Sequence, residues 1–314
     1  MDRPFLSVIV PTFNRWYMLE KAIKSIMNQS YKEIEIVIVD DNSKDKTFQI
    51  VELLRNEDDR IKYVRNKTRL GLPKSRNVGL VHARGDLVFF SEDDMILNKN
   101  ALEELVNTYL ALSERVKVGA IAPRVILISH TRVYTRSELC QHVVGLMNSL
   151  TGEMYFNYDI LADKILLAQH PPATSLIPKK LFNDVGSYYT AYKYNYLREE
   201  SDLYMRALKK GYVFVYQPKA VTYHISGLVG GCTISNTILS ELAGLHNHLI
   251  FLMRNFGIKT AYMSVLYLLK KILKLMYINN PKRRMENMTL IEKLGYYKTI
   301  RHFPKIIYMN RISK

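Results

Sequence analysis

Short apolar runs alternate with amphipathic segments through the first hundred residues. The apolar runs at 5–10, 34–39 and 87–90 predict buried strands, and a shorter strand is predicted at 61–64. The intervening segments, 19–27, 43–54 and 75–82, carry apolar spacing or capping residues typical of helices. Repeated β-loop-α units predict an α/β fold with a mainly parallel sheet and helices on both faces.

Acidic residues follow two of these predicted strands. The run 87–90 leads directly into Ser91-Glu92-Asp93-Asp94, and the strand at 34–39 is followed by Asp40 and Asp41. Taken alone, the first cluster is equally consistent with a turn that caps the next helix. However, ligands of open parallel sheets bind beyond the carboxyl ends of the strands, and carboxylates that share a crevice repel one another. The pattern therefore favours a divalent cation, Mg²⁺ or Mn²⁺, at this edge.

The second half of the chain contains fewer recognisable patterns. A helix is predicted at 101–112 and strands at 118–128, 212–216 and 220–224, whereas 130–170 is expected to form a lid or an insertion. Another helix begins at Glu199-Glu200-Ser201-Asp202. Acidic residues in a first turn stabilise a helix by roughly 0.3–1 kcal/mol each, which would account for one or two of them without any catalytic role.

Composition adds an unevenly placed positive charge. The 314 residues carry a net charge of +16, and residues 254–314 alone contain 14 Lys or Arg against 2 Glu. Such a segment suggests an anionic partner. Two cysteines, Cys140 and Cys232, make no disulfide or zinc framework, which favours a reducing compartment. No N-terminal signal peptide and no transmembrane segment are expected.

Ordered motifs resemble those of family 2 glycosyltransferases with the GT-A fold. The resemblance covers about residues 5–225. It leaves 130–170 without a matching block, so any insertion there would face the acceptor. It rests on the order of several short pieces: Ser7 to Asn14, Val39 to Ser43, Arg76-Asn77, Ala83 to Asp86, Ser91 to Asp94, Phe182 to Gly186, and Glu199 to Leu203 with Arg206 and Gly211. It departs from the usual pattern at Ser91, where many relatives have Asp. The Q-x-x-R-W motif of processive relatives is absent, which favours transfer of one sugar per encounter.

The resemblance implies a role for each matched position. Glu200 would be the catalytic base of an inverting single displacement, supported by Glu199 and Asp202. A divalent cation, Mn²⁺ or Mg²⁺, would be held by Asp94, with Asp93 and His224 as further candidates. The nucleotide-sugar donor, a UDP-, GDP- or dTDP-sugar, would be bound by a larger set of residues: Pro11, Thr12, Asn14, Asp40, Asp41, Arg76 and Asp93.

The C-terminal region reads as a basic amphipathic extension. At about 100° per residue, Lys259, Lys270, Lys271 and Lys274 share one arc, and apolar residues occupy the opposite side. This pattern favours binding to an anionic membrane surface. The alternative is a helix packed on the catalytic domain with its lysines in water.

These observations predict a catalytic domain at 1–226, with a nucleotide-binding half at about 1–95 and an acceptor half at about 96–226, followed by a helical basic region at 227–314. The expected protein is a metal-dependent glycosyltransferase that acts on a lipid-linked or cell-surface glycan, at the cytoplasmic face of the membrane. Transfer to a soluble or protein acceptor, and a non-catalytic sugar-nucleotide binder, remain alternatives. No nucleic-acid module is recognisable, so nucleic acid is not an expected partner.

Overall fold

A computed structural model describes residues 3–129, 132–134, 143–225, 231–232 and 236–277. Several predictions fall outside these ranges. They concern parts of the predicted insertion, at 130–131 and 135–142, and parts of the predicted helical basic region, at 227–230, 233–235 and beyond residue 277.

The first ninety residues form the predicted β-loop-α succession. Its elements are β1 (Leu6–Thr12), α1 (Trp16–Met27), β2 (Ile34–Asp40), α2 (Thr47–Glu57), β3 (Ile61–Arg65), α3 (Leu72–His82) and β4 (Leu87–Phe90). The strands lie in the order β3-β2-β1-β4 and all pair in parallel, which confirms the predicted sheet. Pro11 lies inside β1, opposite Val39, rather than ending the strand.

Side chains of these strands alternate between two apolar layers. Leu6, Val8 and Val10 pack with α1 and α2 on one face, whereas Ile9 packs with residues of α3 on the other. Both faces are therefore covered by helices, as a run of consecutive apolar residues requires. The carboxyl ends of β1, β2 and β4 consequently reach the same edge of the sheet.

The second half extends the sheet with mixed pairing. Its elements are β5 (Met95–Leu97), α4 (Ala101–Ser113), β6 (Val118–Ser129), β7 (Arg132–Tyr134), β8 (Val143–Val144), β9 (Leu146–Met147), β10 (Met154–Tyr155), β11 (Leu166–Ala168), β12 (Leu176–Pro178), α5 (Lys180–Val185), α6 (Glu199–Lys209) and β13 (Val213–Ile225). The two strands predicted at 212–216 and 220–224 are one strand, β13, with a register shift between Gln217 and Val221. β12 joins the parallel half to β6 by antiparallel pairing on both sides.

A helical hairpin follows. It consists of α7 (Thr237–Phe256), a 3₁₀ turn (Gly257–Lys259) and α8 (Thr260–Tyr277). Phe251, Leu252 and Met263 of the hairpin share an apolar cluster with Met154 and Tyr192. The predicted helical C-terminal region is confirmed for these residues, while a domain boundary at 226 stays a prediction.

The orientation of α8 differs from the alternative in which the helix packs on the catalytic domain with its lysines in water. Lys270 is 4% exposed and forms an ion pair with Glu153, and Lys271 pairs with Glu241 at 2.7 Å. Val265 and Leu269, on the opposite side, are exposed. Two lysines of the predicted arc are therefore bound to the protein, and an apolar face is turned outward.

Among the residues that the structure describes, no helix combines the length and the apolar character that crossing a bilayer needs.

Candidate active site

A cavity of about 450 Å³ opens at the carboxyl ends of β1, β2 and β4. The strand-end residues are brought there by sheet geometry, and the first turn of α6 approaches from the acceptor half. The cavity is lined by predicted donor, metal and catalytic residues: Pro11, Thr12, Asp41, Arg76, Asp93, Asp94, Glu199, Glu200 and His224. Arg15, Arg69, Glu92, Tyr196 and Cys232 are among its other lining residues.

Asp41 is fixed at one end of the cavity by the loop that precedes α3. Its Oδ1 accepts hydrogen bonds from Asn66 Nδ2 and the backbone N–H of Leu70, and its Oδ2 accepts one from the backbone N–H of Gly71. Gly71 has a φ of +89°, and a Cβ there would lie 2.3 Å from the Tyr196 hydroxyl oxygen. Only glycine meets both conditions without displacing Tyr196.

Asp40 and Asn14 are not among the residues that line this cavity, so their donor contacts stay predictions. Asp40 is fully buried, and its carboxylate accepts hydrogen bonds from the backbone N–H of Ser43 and the hydroxyl of Tyr63. Asn14 Oδ1 accepts a hydrogen bond from the backbone N–H of Lys44. Asn14 therefore ties the loop after β1 to the loop after β2, whereas Asp40 ties the end of β2 to β3.

The two aspartates beyond β4 share a single guanidinium. Arg15 Nη1 lies 3.1 Å from Asp93 Oδ1 and 2.6 Å from Asp94 Oδ2. Asp93 Oδ2 accepts a further hydrogen bond from Thr12. Burial, together with the charge of Asp94, raises the pKa of Asp93 to about 7, although Arg15 opposes this shift.

The geometry groups a different third residue with the predicted metal ligands. Glu92, Asp94 and His224 each offer a ligand atom, and these three atoms lie within 4.8 Å of one another. Asp93 is not in this group, and its two oxygens accept hydrogen bonds from Thr12 and Arg15. The geometry adds Glu92 to the candidate ligands, while the role of Asp93 as a metal ligand stays a prediction. Two carboxylates and an imidazole are a donor set that fits a divalent cation.

Electrostatics couple Asp94 to His224. Burial would raise the pKa of Asp94, but the hydrogen bond and charge of His224, with Arg15, lower it overall. Burial likewise disfavours a charged His224, yet its hydrogen bond to Asp94 and the charge of Glu92 raise its pKa to about 9. His224 Nε2 lies 3.5 Å from Asp94 Oδ1, so the two form an ion pair when no metal is bound.

The three acidic residues in the first turn of α6 differ in their partners. Glu199 is 2% exposed and forms an ion pair with Arg76. Asp202 is fully buried and accepts from Arg206, Arg254 and Asn255. The predicted supporting role of Asp202 is therefore confined to the scaffold, because every one of these partners lies outside the cavity lining.

Glu200 is the member of this turn that suits proton transfer. It lines the cavity, is half-buried, and has no ion-pair partner among the residues that the structure describes. Burial raises the pKa of Glu200, as expected for a carboxyl that leaves water without a bonded cation. A raised pKa makes the carboxylate a stronger base.

The segment before Glu200 has an unusual backbone. Tyr194, Tyr196 and Arg198 have φ values of 61°, 52° and 80°. Left-handed backbone is uncommon for residues other than glycine. Arg198 is buried, and its Nε donates to Nδ1 of His248 in α7, which fixes the start of α6 against the hairpin.

His170 is a structural residue. It is 2% exposed, and its Nε2 lies 2.8 Å from the hydroxyl oxygen of Ser201, behind the first turn of α6. Burial, with the charge of Arg198, lowers the pKa of His170 to about 3, so the ring is neutral.

A second cavity of about 290 Å³ adjoins the first and shares Glu92, Ala173 and His224 with it. Phe156 and Tyr158 line this cavity, and both belong to the predicted insertion at 130–170. The described part of that insertion therefore contributes to a wall of the site.

Sequence reasoning missed Arg15 and Glu92. Arg15 follows the first strand in an ordinary loop, and its contacts lie 78 and 79 residues further along the chain. Glu92 was noted as part of the acidic run, but nothing in the spacing distinguishes it from Asp93 as a ligand.

The fold and the cavity define an α/β protein of the GT-A class with an acidic site at its strand ends. The structure is similar to that of GalNAc-T7 with UDP, GalNAc and Mn²⁺, with a TM-score of 0.69, 15% identity, and coverage of 96% of this chain and 58% of that one. It is also similar to S. aureus TarS 1–349 in complex with UDP-GlcNAc, with a TM-score of 0.57, 19% identity, and coverage of 94% of this chain and 79% of that one. These similarities confirm the predicted fold.

The sequence match is to the glycosyl transferase family 2 model, over residues 7–161. The chain therefore carries a glycosyl transferase family 2 domain, as predicted. The match also takes in residues 130–161, which the prediction had left without a family block.

Curated relatives match part of the chain. A GalNAc(5)-diNAcBac-PP-undecaprenol beta-1,3-glucosyltransferase of Campylobacter jejuni is 51% identical over 104 residues, which is 33% of this chain and 34% of that protein. Glycosyltransferase GlyG of Streptococcus pneumoniae is 27% identical over 184 residues, 57% of this chain and 58% of that protein. The matched stretches thus span about a third to three fifths of these relatives.

Proposed function

We propose that this protein is an inverting glycosyltransferase that moves one sugar from a UDP-sugar to a hydroxyl of a lipid-linked glycan. The observation that carries the proposal is that Asp41, Asp93 and Asp94 line one cavity together with Glu200. The family 2 domain at residues 7–161 supports the reaction class. The similar structures whose names include UDP and UDP-GlcNAc favour uridine among the possible donor nucleotides.

In this reaction the acceptor hydroxyl attacks the anomeric carbon of the donor sugar. Glu200 takes the hydroxyl proton as the new carbon–oxygen bond forms, and the bond from that carbon to the diphosphate oxygen breaks. The electron pair leaves with the nucleoside diphosphate, and attack opposite the leaving group inverts the anomeric centre. Glu199 cannot take the same proton readily, because Arg76 holds it as a carboxylate in a buried ion pair.

Glu92, Asp94 and His224 would hold a divalent cation, Mn²⁺ or Mg²⁺. Such an ion supplies a Lewis acid that offsets the charge on the leaving diphosphate. The similar structure named with Mn²⁺ supports this choice.

Replacement of Glu200 tests the assignment of the base. The variant Glu200→Gln keeps the size of the side chain but cannot accept the proton. Transfer should fall by roughly 10²–10⁴-fold, the usual contribution of a general base. Binding of UDP, measured by calorimetry with MnCl₂ present, should stay within about threefold of the wild type, because the predicted donor contacts are unchanged.

A transfer rate close to that of the wild type would contradict the assignment. The matched control is Glu241→Gln, since Glu241 is exposed and lies in α7, away from the cavity. The non-catalytic alternative makes a different prediction: UDP would bind, but wild-type protein would neither transfer nor hydrolyse sugar from any UDP-, GDP- or dTDP-sugar.

The acceptor proposal rests on the relatives and on the hairpin. The Campylobacter relative is named for an undecaprenol-linked substrate. An enzyme that uses such a substrate meets it at a membrane, and nucleotide sugars favour the cytoplasmic face. Transfer to a soluble or protein acceptor remains the second candidate.

The outward face of α8 is the surface we assign to membrane contact. Val265, Leu268, Leu269 and Ile272 are exposed at i, i+3, i+4 and i+7, so they form one stripe along the helix. Residues 278–314, which follow this helix, add 9 Lys or Arg against 2 Glu. An apolar stripe together with basic charge is the combination that binds anionic bilayer surfaces.

Co-sedimentation with liposomes tests this surface. Wild-type protein should be recovered with vesicles that contain phosphatidylglycerol more than with neutral phosphatidylcholine vesicles. The variant Val265→Gln/Leu269→Gln should lose most of this binding, because it places two amides on the stripe. Leu53→Gln/Val81→Gln, which changes two exposed apolar residues elsewhere, is the control. Equal recovery of all three proteins would contradict the assignment.

A further inference from the structure

We propose that Arg15 makes metal binding depend on the donor, by neutralising the two aspartates until a diphosphate arrives. This inference rests on the proposed function, since it requires a diphosphate donor and a divalent cation in the same cavity. It concerns Arg15, a residue that none of the predicted site roles included.

The guanidinium occupies the position between the two carboxylates. One nitrogen, Nη1, donates to Asp93 Oδ1 and to Asp94 Oδ2. The other oxygen of Asp94 faces His224, at 3.5 Å. Asp94 therefore lies between a fixed positive charge on one side and the group of metal-ligating atoms on the other.

The backbone of Gly231 holds the Arg15 side chain in this position. A Cβ on Gly231 would lie 2.6 Å from Arg15 Cζ, so the backbone of Gly231 is packed directly on the guanidinium. The N–H of Gly231 donates to the carbonyl oxygen of Phe13 at 3.0 Å, which ties this backbone to the loop that carries Arg15. The arginine side chain is only 10% exposed.

Two effects of this arrangement on a bound cation oppose each other. A hydrogen bond that orients a ligating carboxylate strengthens metal binding by roughly tenfold to a hundredfold. Repulsion between the guanidinium and a divalent ion bound to the same carboxylate exceeds this gain in a partly buried site, because charges interact strongly there. The repulsion therefore dominates, and Arg15 weakens metal binding in the free protein.

A diphosphate reverses this balance. Its negative charge attracts both the metal and Arg15, so the two cations no longer compete for Asp94 alone. Arg69 and Arg76 line the same cavity and add to the attraction for phosphate. The metal and the donor would consequently bind with positive coupling, and the site would hold little metal in the absence of donor.

Titration of Mn²⁺ with and without UDP tests the coupling directly, without a measurement of activity. Free Mn²⁺ is followed by electron paramagnetic resonance at pH 8. In the wild type, UDP should tighten Mn²⁺ binding by at least about tenfold, within the usual range of coupling between sites. In Arg15→Gln, Mn²⁺ alone should bind at least about tenfold tighter than in the wild type, and UDP should add correspondingly less.

Two further variants separate charge from structure. Arg15→Lys keeps the positive charge and should retain a coupling within about threefold of the wild type. Arg55→Gln removes an exposed arginine that pairs with Glu52, and it should leave both Mn²⁺ titrations unchanged. A melting temperature for each variant shows that the protein is folded.

The inference is overturned if Arg15→Gln binds Mn²⁺ alone no tighter than the wild type, or if UDP tightens binding equally in both. If this happens while Glu200→Gln still abolishes transfer, the proposed function stands and Arg15 only orients the aspartates. If wild-type protein binds no Mn²⁺ even with UDP, both the coupling and the metal-dependent part of the proposed function are wrong.

Discussion

Two clusters of buried charge, one beyond β4 and one beside α6, have opposite compositions. Beyond β4, Asp93 and Asp94 share one guanidinium, that of Arg15. Beside α6, the single carboxylate of Asp202 binds two guanidinium groups, those of Arg206 and Arg254. The first cluster places two carboxylates on one guanidinium, with His224 beside Asp94, and faces a cavity, whereas the second has more donors than carboxylates and faces the scaffold.

This difference separates a binding site from a structural ion-pair network. Burial of charge is common to both clusters, so burial alone identifies neither. A carboxylate whose oxygens are all satisfied within the protein gains nothing from a ligand. Carboxylates that must share a cation gain from any further positive charge, and they are therefore the better candidates for a metal site.

The largest effect that this comparison predicts is on stability. Asp202→Asn should lower the free energy of unfolding by about 3–5 kcal/mol, because it leaves two buried or half-buried guanidinium groups without their counter-charge. Urea denaturation followed by circular dichroism measures this change. Asp93→Asn is the matched variant beyond β4. At pH 8 it should leave the free energy of unfolding unchanged or raise it, since burial and the charge of Asp94 disfavour the charged form of Asp93. Equal losses in the two variants would remove the distinction between the clusters.

A smaller effect follows from the raised pKa of Glu200. A carboxyl whose pKa is higher in the folded protein binds a proton more tightly there, so its favourable contribution is present at low pH and is lost as pH rises through the folded pKa. Glu200→Gln should therefore have a higher melting temperature than the wild type at pH 8, and the difference should disappear near pH 4. A constant difference in melting temperature across this range would show that folding does not raise the pKa of Glu200.

Much of the fold was predictable because its signals are local. The apolar runs before Thr12, Asp40 and Ser91 are long enough to predict strands, and their order predicts a parallel sheet. The edge at which acids collect follows from that order. The resemblance to the family then supplied Glu200, which the structure places in the cavity.

The roles of individual acids were less predictable, because they depend on where side chains point. Successive residues of a strand face opposite sides, so Asp40 turns to Tyr63 while Asp41 lines the cavity. A motif that contains both residues cannot tell them apart. Asp93 and Glu92 pose the same problem at the next strand end.

The hairpin shows how packing reverses a pattern. Helical spacing correctly separates the lysines of α8 from its apolar stripe. It does not reveal which side meets the protein, and Glu153 captures Lys270 from a distant part of the chain. Such contacts depend on the tertiary structure, as do those of Arg15.

The left-handed residues before α6 have a consequence for how this protein can change. Tyr194, Tyr196 and Arg198 adopt backbone conformations that cost about 1 kcal/mol or more each, within five residues of one another. Glycine at any of these positions would relax the chain and also loosen the start of the helix that carries Glu200. Thermal stability and a fixed position for Glu200 therefore place conflicting requirements on this segment. Selection for stability alone would loosen the position of Glu200.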